Sequence, residues 1–546
     1  MSQYVQTDTT SVVLATAIVA ALGVRLYLRP PPPQVHPFLL GRQSTPAPTR
    51  NEGESTVFTN SANGGVRAPF RPDRAIRTLP HILGTSSTCL EGKDRGTWVK
   101  GGEKLVDVVT ALRAGFIAKF AGVEGKVLVS IDDPTDALLV TLALATSPLK
   151  PVVIAPGSAV PAELDLVGAV QTATGSLTTA GLNLDPSKVV LVGEEHKDEA
   201  FEILATGRTQ TAEAISAEPA DFALTIISEG IQLEYTHQNL TSALVSWLSL
   251  FPASPQPTLP TLKDNLVSFH HPSTPYGFGL ALLAIYQNAS LTLFSLPTEP
   301  SADPEAVLEL FNNKSAPPAN LVFAPTKVLA QPLYTLILQQ MLGDSSFIVR
   351  HARNGKLRLL RSGSVSKQTM WDSLLFKGLR KDTGLTHIRG LFLSGPIEYS
   401  RLETFRVALG CPCVSTYEHA LLLAQLANGN MWDVQRLPPP GAQFVTGREK
   451  APVGAPTVGV ELKLKGEEKD FEDGRPRGEI LIRSPLLPLP DTLPSALLVQ
   501  DSTLQPHPPY PNQPASQSAP SKWLRTGVRA EMGTEGTLWV EEEGEK

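Results

Sequence analysis

Cysteine is nearly absent: Cys89, Cys411 and Cys413 are the only three among 546 residues. That excludes a disulfide framework and points to a reducing compartment. Cys411 and Cys413 are one residue apart and no second pair exists, so they read as small apolar residues beside a strand rather than metal or redox ligands. Aromatic residues amount to only 6% and the net charge is −6. The basic residues are scattered through the sequence, so no nucleic-acid-binding face is expected. Gly-x-Ser-x-Gly, zinc-ligand spacing and a Gly-x-Gly-x-x-Gly following a strand are all missing.

Proline is plentiful, at 48 residues, and much of it clusters in 30–48 and 485–520. Both clusters read as extended or disordered linker rather than core. A hydrophobic content of 42% is ordinary, and the length suffices for a sizeable core and more than one domain. Residues 11–28 are largely apolar, with Arg25 as their only charge. A spanning helix needs ~20 apolar residues, so an N-terminal transmembrane helix is predicted. No Lys or Arg precedes this run, while Arg25 and Arg29 follow it, which places the bulk of the chain in the cytosol. The sequons at Asn239, Asn288 and Asn313 then carry no meaning.

From about Ile76 the pattern becomes α/β. Val106, Val109, Leu112, Phe116 and Phe120 have helical spacing, and residues 125–131 form a buried-strand run. The alternation recurs through strands near 151–156, 188–192, 222–227, 290–294, 320–324 and 388–393. It predicts mainly parallel sheets covered by helices. Beyond Val453, period-two runs at 458–465 and 478–483 predict a smaller β unit.

Several collinear motifs carry a family resemblance. IISEGIQLEYTHQNL (226–240) resembles the phosphate loop SGTTGxPKGVxLTHxNL, keeping Ser228, Gly230 and the THQNL tail. DNLVSFHHPSTPYGFG (264–279) is similar to a stretch that lines an acyl pocket. RGLFLSGPI (389–397) resembles an adenine-contact strand, with Gly395 kept. GCPCVSTYEHALL (410–422) stands for GCPVxxGYGxTET, with Tyr417 kept. WLRTGVR (523–529) resembles WFRTGD, with Arg525 and Gly527 kept. Together these resemble the large N-terminal domain of adenylate-forming (AMP-binding) acyl-CoA synthetases, and a membrane-anchored long-chain fatty acid–CoA ligase in particular.

That resemblance implies a domain map: a membrane anchor at 1–29, a proline-rich linker and lead-in at 30–75, an AMP-binding-like α/β domain at 76–440, and a β subdomain at 441–546 with an insert at 485–520. The small lid domain with the family's catalytic lysine is expected to be absent. The family uses ATP, Mg²⁺ and CoA. Here the loop lacks lysine and carries Glu229, the metal-binding glutamate falls on Leu421, and the ribose-binding aspartate is Val528. A carboxylate facing a triphosphate is repulsive, and Leu421 offers no oxygen ligand. His237 opens a helix in the family and reads as structural. Neither His270 nor His271 has ligand partners, so no metal site is expected.

The resemblance thus implies a vestigial nucleotide pocket (Ser228, Gly230, Gly395, Tyr417 and Arg525) without catalytic residues, and an acyl pocket at Phe269, Tyr276 and Phe278. The leading expectation is a membrane-bound pseudoenzyme, at the endoplasmic reticulum or another internal membrane. It would bind fatty acid or acyl-CoA, or partner an active synthetase. The alternatives are a working ligase, possibly helped in trans, and a scaffold without ligand.

Overall fold

The computed structural model describes residues 9–28, 33–63, 68–87, 89–90, 103–120, 124–154, 158, 161, 164–172, 186–193, 196–209, 216–252, 258–294, 304–312, 317–342, 347–434, 450–472, 474–500 and 522–541. Three larger sheets organise them.

The first sheet has six strands, ordered Ile231–Thr236, Phe222–Ser228, Leu149–Ile154, Gly125–Ser130, Gly168–Thr172 and Val189–Val192. All pairings are parallel except the 222–236 hairpin. Alternation within each strand sorts side chains to opposite faces. Val127, Val129, Val153 and Ile226 join the main core, while Leu128, Val152 and Ile227 form a separate cluster behind. Helices Leu105–Lys119 and Lys197–Thr209 pack closely because Gly115 faces Ile203 and Gly207 faces Ala111; a Cβ at either glycine would strike backbone.

The second sheet has seven strands. Its parallel part is ordered Ser290–Leu293, Asn265–Ser268, Leu321–Pro325, Gly390–Ser394 and Cys413–Tyr417. Leu266, Phe323, Phe392 and Val414 face the main core; Val267, Val322, Leu391 and Cys413 face a second one. Helices His237–Ser249 and Pro275–Gln287 contribute Leu240, Trp247, Phe278 and Leu282 to the main core. The predicted α/β architecture with mainly parallel sheets is therefore present. Cys411 and Cys413 are buried free thiols flanking the start of a strand.

The third sheet is antiparallel and draws on both ends of the chain. Ser44–Pro46 pairs with Phe58–Asn60, which meets Glu461–Lys465, then Arg477–Arg483, Lys522–Met532 and Leu498–Gln500. Residues 44–60, read from sequence as linker and lead-in, are thus part of the β unit. The segment 485–520 also differs from expectation in its first half. Leu486, Leu487 and Leu493 are core residues, and Leu489 N–H donates to Glu234 O. Proline is tolerated there because the segment packs by side chains and contributes only a short edge strand. Residues 501–521 lie outside the described set.

The N-terminal helix forms at Thr9–Leu28, but the expectation that it spans a membrane is not supported. Among the described residues no helix is long and apolar enough to cross one. Arg25 interrupts the run, and the apolar stretch before it, residues 12–24, falls short of the ~20 that a bilayer requires.

Candidate functional site

Ser228 ends one strand of the hairpin and pairs directly with Ile231. Only Glu229 and Gly230 remain between them, with φ of 52° and 76°. Positive φ at both central residues is the two-residue type I′ turn, the tightest hairpin connection. Both residues are exposed. A loop of backbone N–H groups able to surround phosphates does not exist at this position. The following helix starts with a capping box: Thr236 Oγ1 accepts from Asn239 N–H, and Asn239 Oδ1 accepts from Thr236 N–H. His237 is buried, and its Nδ1 accepts from Leu79 N–H at 3.3 Å. Burial, with Lys150 nearby, pushes its pKa down to about 4. A structural role follows, as the sequence implies.

The carboxyl ends of the second sheet's parallel strands bring polar groups together. His270 Nδ1 lies 3.2 Å from Glu418 Oε2, and its Nε2 lies 3.4 Å from Ser394 Oγ. The His270 ring packs on Tyr276, with 4.4 Å between ring centres. His271 points elsewhere, its Nε2 3.2 Å from Asp132 O. Burial pushes Glu418 up to about 7 and His270 down to about 3. The order Ser–His–carboxylate is that of an acyl-transfer triad. Acyl transfer also needs N–H donors for the oxyanion. Here Gly395 N–H donates to Thr416 O at 2.8 Å, and Pro396 has no N–H. The cluster is a polar knot without an oxyanion hole, buried at His270 and Ser394 and partly open at Glu418, whose side chain is 32% exposed. Gln425 is fully buried nearby, with its side chain against the Tyr276 hydroxyl.

The segment after Glu418 is closed by packing. Tyr235 OH donates to Leu421 O at 3.0 Å, and Trp247 Nε1 donates to Leu423 O at 3.0 Å. Leu421 is itself a core side chain. Among the described residues no group of His, Cys, Asp or Glu could hold a metal ion.

Structural comparison fits this architecture to one class. A long-chain fatty acid–CoA ligase from Archaeoglobus fulgidus superposes with a TM-score of 0.58 at 15% identity, covering 88% of this chain and 86% of that one. An amide bond synthetase from Marinactinospora thermotolerans gives 0.54 at 15%, covering 86% and 79%. The N-terminal domain of a Mycobacterium tuberculosis protein gives 0.52 at 14%, covering 85% and 98%. The chain has the fold of adenylate-forming acyl-CoA ligases. No protein-family model matches the sequence, and no curated protein matches it.

Within this ligase-like fold, the residues expected to form a nucleotide pocket lie on three sheets. Gly395 and Tyr417 sit at neighbouring strand ends beside the His270 cluster; the Gly395 carbonyl accepts from Thr326 Oγ1 at 3.0 Å. Ser228 and Gly230 belong to the hairpin of the first sheet. Arg525 lies on the antiparallel sheet in an exposed ion pair with Glu479 at 2.6 Å, and Val528 packs against the main core. The acyl-pocket candidates are divided as well. Phe278 and Tyr276 belong to the main core, and Tyr276 meets Trp247 edge-on at 5.0 Å. Phe269 belongs to the second core, against Phe294 and Phe311. Gly279 is small because a Cβ there would strike Leu423 O.

Sequence reasoning missed the Ser394–His270–Glu418 grouping. Only Ser394 follows a strand predicted from sequence, 388–393; the strands Asn265–Ser268 and Cys413–Tyr417, which end just before His270 and Glu418, were not predicted, and parallel sheets gather polar groups at such ends.

Glu418 gives a pH signature. A carboxyl whose folded pKa is raised contributes stability below its unfolded value, and that contribution is lost as pH rises through the folded one. The window here runs from about 4.5 to about 7. Glu418→Gln is expected to leave the melting temperature unchanged near pH 4.5 and to raise it at pH 8. Melting curves across that range check it; equal shifts at both ends contradict the assignment.

Proposed function

We propose that this chain is an acyl-CoA-synthetase-like pseudoenzyme that does not activate fatty acids. The observation that carries the reading is the type I′ turn at Glu229–Gly230, which stands where the resemblance implies a phosphate loop. Leu421, a core side chain, and Val528, packed against the core, support it, since both are apolar where the family pattern has carboxylates. The residues present do not fit ATP and Mg²⁺. Phosphoryl and adenylyl chemistry depends on charge stabilisation by positioned donors and metal, so losing these groups together removes the rate. The retained scaffold then serves to bind fatty acid or acyl-CoA, or to partner an active synthetase. Its place is a membrane surface, at the endoplasmic reticulum or another internal membrane, with the main domain in the cytosol. The exposed apolar side chains Val13, Leu14, Ile18 and Val19 on the N-terminal helix support attachment to that surface.

Pyrophosphate exchange tests the reading. The purified chain is expected to give no ATP-dependent exchange with any long-chain fatty acid. Robust exchange by the chain alone identifies it instead as a working ligase. A thermal-shift titration then separates ligand binding from scaffolding. Long-chain fatty acid or acyl-CoA at ~100 times its Kd adds ~2.7 kcal/mol of stability, whereas ATP adds none. No shift with any lipid below its micelle concentration leaves the scaffold.

A further inference from the structure

Residues 345–371 contain no Asp or Glu, yet they hold five arginines and lysines up to Arg361 and a sixth at Lys367. Helix Phe347–Arg361 turns this composition into a two-faced element. Its inner face carries Ala352, Lys356 and Leu360, all buried. Lys356 Nζ is fixed by both Asp372 oxygens at 2.7 and 2.9 Å. The outer face presents Arg350, Arg353, Arg358 and Arg361, all exposed and without an ion pair among the described residues. What the linear sequence scatters, the helix gathers onto one side.

Apolar groups border this basic face. Phe347 is 80% exposed and Ile348 55%. The Phe347 ring stacks on His351 at 5.9 Å, and His351 meets Trp371 edge-on at 5.5 Å. Trp371 lies over Gly355, where a Cβ would come within 2.8 Å of its Nε1. This chain of contacts sets the exposed Met370 and Leu374 beside the amino end of the helix. The N-terminal segment arrives at the other end. Gln34 N–H donates to Gly363 O, and the Gln34 amide exchanges hydrogen bonds with both backbone groups of Val365. Exposed Phe38 and Leu39 follow it. Leu28 precedes Gln34 by six residues, so the apolar N-terminal helix ends within about 20 Å of Gly363.

We propose that helix Phe347–Arg361, with Phe347, Ile348, Met370 and Leu374, docks on an anionic phospholipid surface. Unpaired arginines attract the headgroups, and apolar side chains at the rim enter the acyl boundary. The N-terminal helix, tethered through Gln34 to the Gly363 end of this element, delivers a second apolar contact. The docking surface extends the membrane attachment proposed above, and its test is built to stand apart from that reading.

The probe is flotation of the full chain with phosphatidylcholine vesicles, plain or with about one-third phosphatidylserine. Val13→Asp and Ile18→Asp are introduced throughout to silence the N-terminal helix. In that background the chain is expected to bind serine-containing vesicles more than tenfold better than plain ones, and to release them at ~0.5 M salt. Changing Arg350, Arg353, Arg358 and Arg361 to Gln removes the preference. Phe347→Ser with Ile348→Ser weakens binding without removing its salt dependence. These side chains are exposed, so unchanged melting curves certify each variant. Equal binding to both vesicle types, or indifference to the arginine changes, overturns the proposal. Tight transfer RNA binding that ignores Phe347→Ser and Ile348→Ser also overturns it, reassigning the face to nucleic acid. If instead the unaltered chain ignores plain vesicles while the preference persists here, only attachment through the N-terminal helix fails.

Discussion

Replacing Asp372 with alanine lowers stability by ~3–5 kcal/mol, the cost of leaving buried charge without its partner. Asp372, Lys356 and Arg380 have side chains 2%, 4% and 5% exposed. Asp372 accepts from Lys356 Nζ at 2.7 Å and from Arg380 Nη1 at 2.8 Å. Burial alone would push its pKa up. Hydrogen bonds from Lys356, Thr369 and Arg380 more than offset that, and the net shift is downward. A depressed carboxyl contributes stability above its unfolded pKa and loses it as pH falls through the folded one. The deficit of the variant therefore holds at neutral pH and shrinks only under strong acid. Without Asp372, burial already favours a neutral Lys356, but Arg380 cannot shed its proton. Replacing all three by Leu and Met of similar volume is expected to cost far less than the single change. Urea midpoints with unchanged slopes measure both. A loss below ~1 kcal/mol for Asp372→Ala contradicts the assignment.

Trp247→Ala is the second large effect, again ~3–5 kcal/mol. Trp247 is fully buried on helix His237–Ser249. Its ring stands edge-on to Tyr276 at 5.0 Å and to Phe323 at 5.9 Å, joining that helix to Pro275–Gln287 and to the second sheet. Its Nε1–H also satisfies Leu423 O. Truncation opens a cavity and leaves that carbonyl without this donor. Trp247→Phe keeps most of the apolar volume and loses chiefly the hydrogen bond, ~1–3 kcal/mol. The difference between the two variants separates packing from hydrogen bonding. Equal losses would show that the ring's volume contributes little.

Much of the scaffold was legible because periodicity is local. The buried run at 125–131 and its successors appear as strands within a residue or two of their expected ends, and the helical spacing from Val106 appears as Leu105–Lys119. The proline-rich segments misled, since proline excludes a residue from a central ladder but not from a core. Leu486 and Leu487, beside Pro485 and Pro488, are buried. The N-terminal run formed its helix, yet among the described residues no helix is long and apolar enough to cross a membrane, although the sequence reading accepts Arg25 near the end of the run.

The sequence by itself determined the alternation of strand and helix, the order of the ligase-like motifs, and the loss of lysine and carboxylates from them. Each is a property of residue type and spacing along the chain. Only the tertiary structure decided that Ser228 and Ile231 pair across a two-residue turn, since a shortened loop has many ways to close and register selects one. It alone joined His270 to Ser394 and Glu418, and Lys356 to Asp372 and Arg380. Burial then pushed Glu418 up and His270 and Lys356 down, because desolvation depends on what surrounds a side chain and not on its neighbours in sequence. The same holds for the arginines of Phe347–Arg361: the helical period collects them, and packing on the inner face turns them outward.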